Sequence, residues 1–97
     1  QDSFNMSRRR TVDMISMSAR MIHETTLEML GQGVPMIQVR ARWESITLRT
    51  LDLTREIIST IKSTGDSSHS DRQYIPELEE IIAISKRTID LCRPPAA

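Results

Sequence analysis

Residues 34–61 have the sequence VPMIQVRARWESITLRTLDLTREIISTI, and this stretch decides the fold. Apolar residues recur in it at steps of three and four along two lines, which is the spacing of neighbours on one helix face. The first line consists of Val34, Ile37, Ala41, Leu48, Leu51 and Ile58, and the second of Val39, Trp43, Ile46, Leu53, Ile57 and Ile61. At 100° per residue the two lines lie about 160–180° apart. A helix that is apolar on two sides must be covered on two sides, so we expect the central helix of a bundle.

Two breaks divide the chain into three helical segments. Gly31, Gly33 and Pro35 predict the first break, because Gly suits the left-handed position past a helix end and Pro suits a first helical turn. A polar run over residues 64–74 predicts a mobile loop. The predicted helices cover about residues 7–30, 35–63 and 75–92, after a disordered lead-in over 1–6 and before a tail over 94–97. We expect an all-α, up-down-up three-helix bundle over residues 7–93, open to completion by a fourth helix from a partner or a second copy.

Composition narrows the class of protein. The chain has 97 residues, 38% of them hydrophobic and 3% aromatic, which predicts one small domain with an aliphatic core. Thirteen basic and thirteen acidic residues cancel, so we expect no nucleic-acid partner. No apolar run approaches the ~18 residues of a membrane span. We expect a module of a larger intracellular protein, located in the cytoplasm, with the nucleus as the alternative.

The sequence contains no recognisable catalytic or metal-binding pattern, and we expect no enzymatic activity, no cofactor and no metal. His23 and His69 are the only histidines, and Cys92 is the only cysteine. One cysteine cannot build a usual zinc site or an internal disulfide, and it is typical of a reducing compartment. Glycine-rich phosphate-binding loops are absent. Cys92 is predicted to be a small core residue.

Three methionines suggest a binding surface. Met14, Met17 and Met21 are spaced three and four apart, so they share one face of the first helix, which we call the methionine stripe. It lies roughly 120–140° from the apolar line of Val12, Ile15 and Ile22. Methionine is flexible and polarisable, and it is common on surfaces that accept another helix. Two interpretations stay open at this point: the bundle buries the stripe, or the stripe binds a partner.

Trp43, with its neighbours Arg40 and Arg42, is a second candidate contact. A single tryptophan fits either a core position or an interface anchor. We therefore predict a protein–protein interaction module, a scaffold, adaptor or oligomerisation domain, that binds an amphipathic partner helix or a second copy. The predicted contact residues are Met14, Met17, Met21, Arg40, Arg42 and Trp43.

A basic run supports an alternative function. Arg8, Arg9 and Arg10 precede Thr11, and the pattern Arg-Arg-x-Thr resembles the target of basophilic kinases. A phosphate on Thr11 would meet the dipole of a helix that starts nearby. The same arginines and the methionine stripe can contact lipid. The alternative is thus a phosphorylation-regulated or membrane-peripheral module, although we expect the partner to be a protein rather than a membrane.

Overall fold

The protein is an all-α bundle of three long helices, as predicted. The computed structural model describes residues 2–63 and 69–93, and it defines side-chain surroundings for residues 7–63 and 71–93. The elements in chain order are α1 (Asp2–Gly31), α2 (Met36–Ser63), the short α3 (His69–Arg72) and α4 (Ile75–Leu91). Across the described residues no β-strand occurs. The long axis of the molecule, 48 Å, is close to the length of a 30-residue helix.

The structure differs from the expected helices in two places: the start of the first helix and one additional short helix. α1 begins at Asp2 instead of near Ser7, so the chain is helical through most of the predicted lead-in. Residues 69–72 form α3 inside the segment predicted as a mobile loop. Pro76 then occupies the first turn of α4, where a missing N–H leaves no helical bond unmade. Residues 64–68 of the predicted loop and the tail at 94–97 lie outside the described residues.

The turn between α1 and α2 depends on one glycine. Gly33 has a φ of 86°, in the left-handed region. Its N–H donates to the Leu30 carbonyl at 3.1 Å, and the Val34 N–H donates to the Met29 carbonyl at 3.0 Å. This pair of bonds is a Schellman motif, which satisfies carbonyls that the end of a helix would otherwise leave free. The chain therefore reverses direction tightly at the position that the glycines predict.

α4 is the central helix of the bundle. It lies in the groove between α1 and α2 and contacts each of them more extensively than they contact each other. Its buried residues are Leu78, Ile81, Ile84, Ser85 and Thr88, and Cys92 is buried just beyond its end. They cover a face about 120° wide. The expectation that the second helix is central is therefore wrong, because α2 is an outer helix with one covered face.

The covered face of α2 lies between the two apolar lines. Its buried residues are Val39, Thr47, Leu51, Thr54, Ile57 and Ile61. This set is centred about 110° from the first line and about 50° from the second. Thr47 and Thr54 occupy the middle of the face, where the apolar pattern shows a gap. Each line contributes to the core only the residues that lie nearest this covered face. The residues of each line that lie farthest from it are exposed.

Buried threonines form their hydrogen bonds within their own helices. Thr26, Thr47, Thr54 and Thr88 each donate to the carbonyl four residues earlier, at 2.7, 2.8, 2.6 and 3.0 Å. Because this bond needs no group from another helix, threonine can occupy a position shaped for valine. Ser85 differs, since its buried Oγ has no hydrogen-bond partner in the described part of the chain.

The turn geometry predicts opposite effects at two glycines. We expect Gly33→Ala to destabilise the protein by about 1–2 kcal/mol, because an L side chain is strained at positive φ. Gly31 is the matched control: it is helical, and an added Cβ would meet nothing within 4 Å. Gly31→Ala should stabilise α1 by up to about 1 kcal/mol. Urea unfolding followed by circular dichroism measures both, and a stabilising Gly33→Ala would contradict the assigned turn.

A second pair of variants tests the threonine core. Thr54 is fully buried, and its hydroxyl bonds a carbonyl of its own helix. Thr54→Val should be neutral or stabilise by up to about 1 kcal/mol, because it removes a polar group from the core. Thr54→Ser should destabilise by about 1 kcal/mol, because it deletes a buried methyl group. Denaturant midpoints decide the outcome, and the reverse order would show that the hydroxyl itself holds the core.

Candidate protein-interaction surfaces

The methionine stripe lies on the outer face of α1. Met14, Met17 and Met21 are 69%, 66% and 59% exposed. The buried residues of the same helix are Val12, Ser16, Ala19, Ile22 and Thr26. The two sets are centred about 170° apart on the helical wheel. The interpretation that the bundle buries the stripe is therefore wrong, because α4 and α2 cover only the opposite side of α1.

Trp43 packs at the end of the bundle where the three long helices meet. Its side chain is half-buried, and its indole N–H lies 3.5 Å from the sulfur of Met29 on α1. The Arg42 guanidinium lies over the ring, 5.3 Å from its centre. A narrow crevice with room for about one water molecule lies beside the ring, and we call it the Trp43 crevice. Its lining includes Arg40, Glu44, Thr88, Ile89 and Cys92.

The structure thus divides the six predicted contact residues between two places. The methionine stripe faces outward along α1, whereas Trp43 packs inward against Met29. Arg40 pairs with Glu44 one turn further along α2, at 2.9 Å. Arg42 covers the tryptophan ring. Trp43 and its two arginines therefore form a packing cluster, whereas the methionine stripe is an exposed apolar face.

Cys92 is a core residue, as predicted. It is buried beside the Trp43 crevice. Burial raises the pKa of its thiol; the positive charge of Arg40 opposes this shift, and the negative charge of Glu44 adds to it. The thiolate is the nucleophilic form of cysteine, so a raised pKa makes Cys92 a poor nucleophile at neutral pH.

The exposed apolar edges of α2 are not among the contact residues predicted from the sequence. Ile37 and Leu48 are exposed on one edge, and Ile46 and Leu53 on the other. On the first side, an open groove between α2 and α4 is lined by Arg55, Ile58, Ser59, Lys62, Glu79 and Ile82. The sequence signal that predicts these exposed edges is the angle that the apolar residues span around the α2 axis. Two lines roughly 160–180° apart cannot both enter one covered face about 120° wide.

The arginine run is partly engaged in contacts within the bundle. The Arg9 guanidinium lies 4.9 Å from the centre of the Tyr74 ring and 3.9 Å from the Asp13 carboxylate. Tyr74 is buried at the start of α4. Arg9 therefore joins α1 to α4, and it is not a free cation of the surface.

Thr11, the candidate phosphosite, lies well inside α1. Its side chain is exposed, and its hydroxyl donates to the Ser7 carbonyl at 3.0 Å. Because α1 begins at Asp2, a phosphate on Thr11 would be far from the free N–H groups of the helix start. This corrects the physical basis expected for a switch at Thr11, since the helix dipole acts only within the first turn.

Comparison with known proteins adds no assignment, since no family model, curated protein or solved structure matches the chain. None of the described helices combines the length and the apolar content needed to cross a bilayer. Within residues 2–63 and 69–93, no three His, Cys, Asp or Glu side chains gather as a possible metal site. Function is therefore inferred from the surfaces described above.

The burial of Cys92 beside the Trp43 crevice predicts that its thiol reacts slowly in the native protein. We expect a maleimide at pH 8 to label native Cys92 at least about 100-fold more slowly than the unfolded chain, because the thiol is buried and its pKa is raised. Trp43→Ala should speed native labelling, whereas Arg42→Ala should not, because Arg42 lies over the ring but does not line the crevice. The reference is an exposed thiol made by Ser45→Cys in a Cys92→Ala background. Equal native rates for Cys92 and this reference would contradict the assigned burial.

Proposed function

We propose that this chain is a protein–protein interaction module of the scaffold or adaptor kind, which binds an amphipathic helix on the methionine stripe. The observation that supports the proposal is the exposure of Met14, Met17 and Met21 on the side of α1 that faces away from the core. The bundle closes its core without them. Large apolar side chains aligned on a free surface are typical of a binding site. Steps of three and four match the contacts that a helical partner offers.

The size of the stripe sets the strength of such binding. Full burial of a methionine side chain contributes about 1.5–3 kcal/mol, and these three are about two-thirds exposed, so they offer about 3–6 kcal/mol together. Association costs about 4 kcal/mol or more in lost translational and rotational freedom. The stripe alone therefore gives little net affinity. A partner must add contacts beside the stripe, and the resulting binding is reversible.

A helix suits this face better than an anionic membrane does. Arg9, a member of the basic run, already contacts Tyr74 and Asp13. Glu24 and Glu28 lie on the same outer side of α1 as the stripe, and anionic headgroups would repel them. The proposal places the protein in the cytoplasm or the nucleus, where a reducing environment keeps the single thiol of Cys92 free.

A photoreactive side chain at position 17 tests the helix-binding function. We expect benzoylphenylalanine in place of Met17 to give discrete protein cross-links in cells that produce the chain. In the matched control the probe replaces Ser45, an exposed residue on the outer side of α2. Adding Met14→Glu should lower the yield at position 17 about tenfold, because a charge resists burial in an apolar contact.

The comparison with position 45 also defines the result that would contradict the proposal. Cross-links that are absent or equal at positions 17 and 45, in proteins with unchanged circular dichroism, would refute binding at the stripe. Cross-links to lipid alone would show that the stripe contacts a membrane and does not bind a helical partner.

A further inference from the structure

A seven-residue pattern runs along the outer face of α1 and contains the methionine stripe. Its members, which we call the heptad seam, are Arg10, Met14, Met17, Met21, Glu24 and Glu28. They alternate steps of four and three, which is the spacing of the contact positions in a coiled coil. They fall within about 80° of one another on the helical wheel, and all six are exposed. The seam is basic at its N-terminal end, apolar in the middle and acidic at its C-terminal end.

The charges at the ends of the heptad seam are available for contacts outside the bundle. Arg10, Glu24 and Glu28 form no ion pair within the part of the chain that the structure describes. The neighbouring Arg9, by contrast, lies 3.9 Å from Asp13. A binding partner can therefore use the seam charges without breaking an existing ion pair.

We propose that the occupant of this surface is a second copy of the chain, with the two α1 helices packed antiparallel along the heptad seam. This proposal names the partner for the helix-binding function inferred above and rests on that function. In an antiparallel pair, Arg10 of each copy lies near Glu24 and Glu28 of the other, and the methionines meet in the middle. In a parallel pair, arginine faces arginine and glutamate faces glutamate. The order of charges therefore makes the seam complementary to itself in the antiparallel direction alone.

The shape of the bundle permits this pairing. The seam covers residues 10–28, about 27 Å of helix. Symmetric antiparallel packing puts the two-fold axis close to Met17. The seam is centred about 180° from the buried face of α1, so α2 and α4 of each copy lie on the outer sides of the pair. Contact between two single helices falls below the roughly 1,200–2,000 Å² of a stable interface, so the dimer should be weak and concentration-dependent.

Charge reversal at the two ends of the seam tests the pairing. Light scattering after size exclusion should show the mass rising from 11.1 kDa toward twice that value as concentration increases. Arg10→Glu makes the seam acidic at both ends, and Glu24→Arg with Glu28→Arg makes it basic at both ends. Each change should weaken self-association by about tenfold or more, because attraction becomes repulsion at two symmetric places.

Mixtures of the variants report on the direction of pairing. The acidic-seam and basic-seam chains should pair with each other at about wild-type strength. The triple variant, which exchanges the charges of the two ends, should pair with itself but not with the wild type. In a parallel arrangement the triple variant would prefer the wild type to itself, and this result would overturn the proposal.

Cysteine cross-linking gives an independent reading of the direction. In a Cys92→Ala background, Met17→Cys chains should cross-link to one another through a short bis-maleimide, because both positions lie close to the two-fold axis. Ser7→Cys chains should not, because positions 7 lie about 25–35 Å apart along an antiparallel pair. Cross-linking at both positions would indicate parallel helices and would refute the arrangement.

A surface variant on α2 is the control for a different interface. Leu48→Glu changes an exposed apolar residue outside the seam and should leave self-association unchanged. All substituted seam residues are exposed, so unfolding midpoints should stay close to wild type. Loss of pairing in Leu48→Glu, or a dimer that does not respond to Arg10→Glu, would overturn the proposal.

Failure of self-pairing is distinguishable from failure of the helix-binding function. A wild-type chain that stays monomeric up to about 1 mM would refute self-pairing at any useful affinity. If position 17 still photocross-links to a different protein, only the identity of the partner is wrong. If the chain is monomeric and position 17 also gives no cross-links, both proposals fail.

Discussion

The packing of α4 into the groove between α1 and α2 is the constraint on which the rest of the structure depends. Leu78 and Ile81 of α4 and Val12 of α1 are completely buried, and Ile61 of α2 is nearly so. Because α4 fills the groove, α1 and α2 each give one face to the core. The apolar side chains on their outward faces therefore remain exposed. The exposed methionines and the exposed edges of α2 are both consequences of this single arrangement.

On the function that we propose, α1 combines two tasks on its opposite sides. Its inner side, with Val12 and Ala19, stabilises the bundle, and its outer side carries the heptad seam. A partner that packs on the seam contacts a helix already held in place by α4, so little conformational entropy is lost on binding. This preorganisation favours weak but specific pairing. It also separates the two tasks, since changes on the outer side leave the core packing intact.

The three long helices and the break at Gly33 could be predicted because local chemistry determines them. Gly33 needs a left-handed conformation, and Pro76 tolerates only a first turn, whatever the rest of the chain does. The covered face of α2 could not be predicted in this way. Thr47 and Thr54 look polar in the pattern, yet their hydroxyls bond to carbonyls of their own helix and allow burial. A hydropathy pattern scores the residue type alone, so it does not account for this hydrogen bond within the helix.

The candidate site shows the same division between local and tertiary information. Spacing places Met14 and Met21 on one face, but their exposure depends on where α4 lies. The chemistry of Trp43 suits a core position or an interface anchor, and its contact with Met29 of α1 is tertiary information that the sequence does not contain. The sequence predicts a helix start near Thr11, because the extension of α1 back to Asp2 has no strong signal in the sequence.

The position of Trp43 also has a spectroscopic consequence. It is the only tryptophan of the chain, it belongs to α2, it contacts Met29 of α1, and it shares a crevice with Cys92 at the end of α4. One indole therefore senses the polarity of a place that exists only while all three helices are together. Its emission is a label-free optical signal for assembly of the whole bundle, because separation of any one helix changes the surroundings of the same fluorophore.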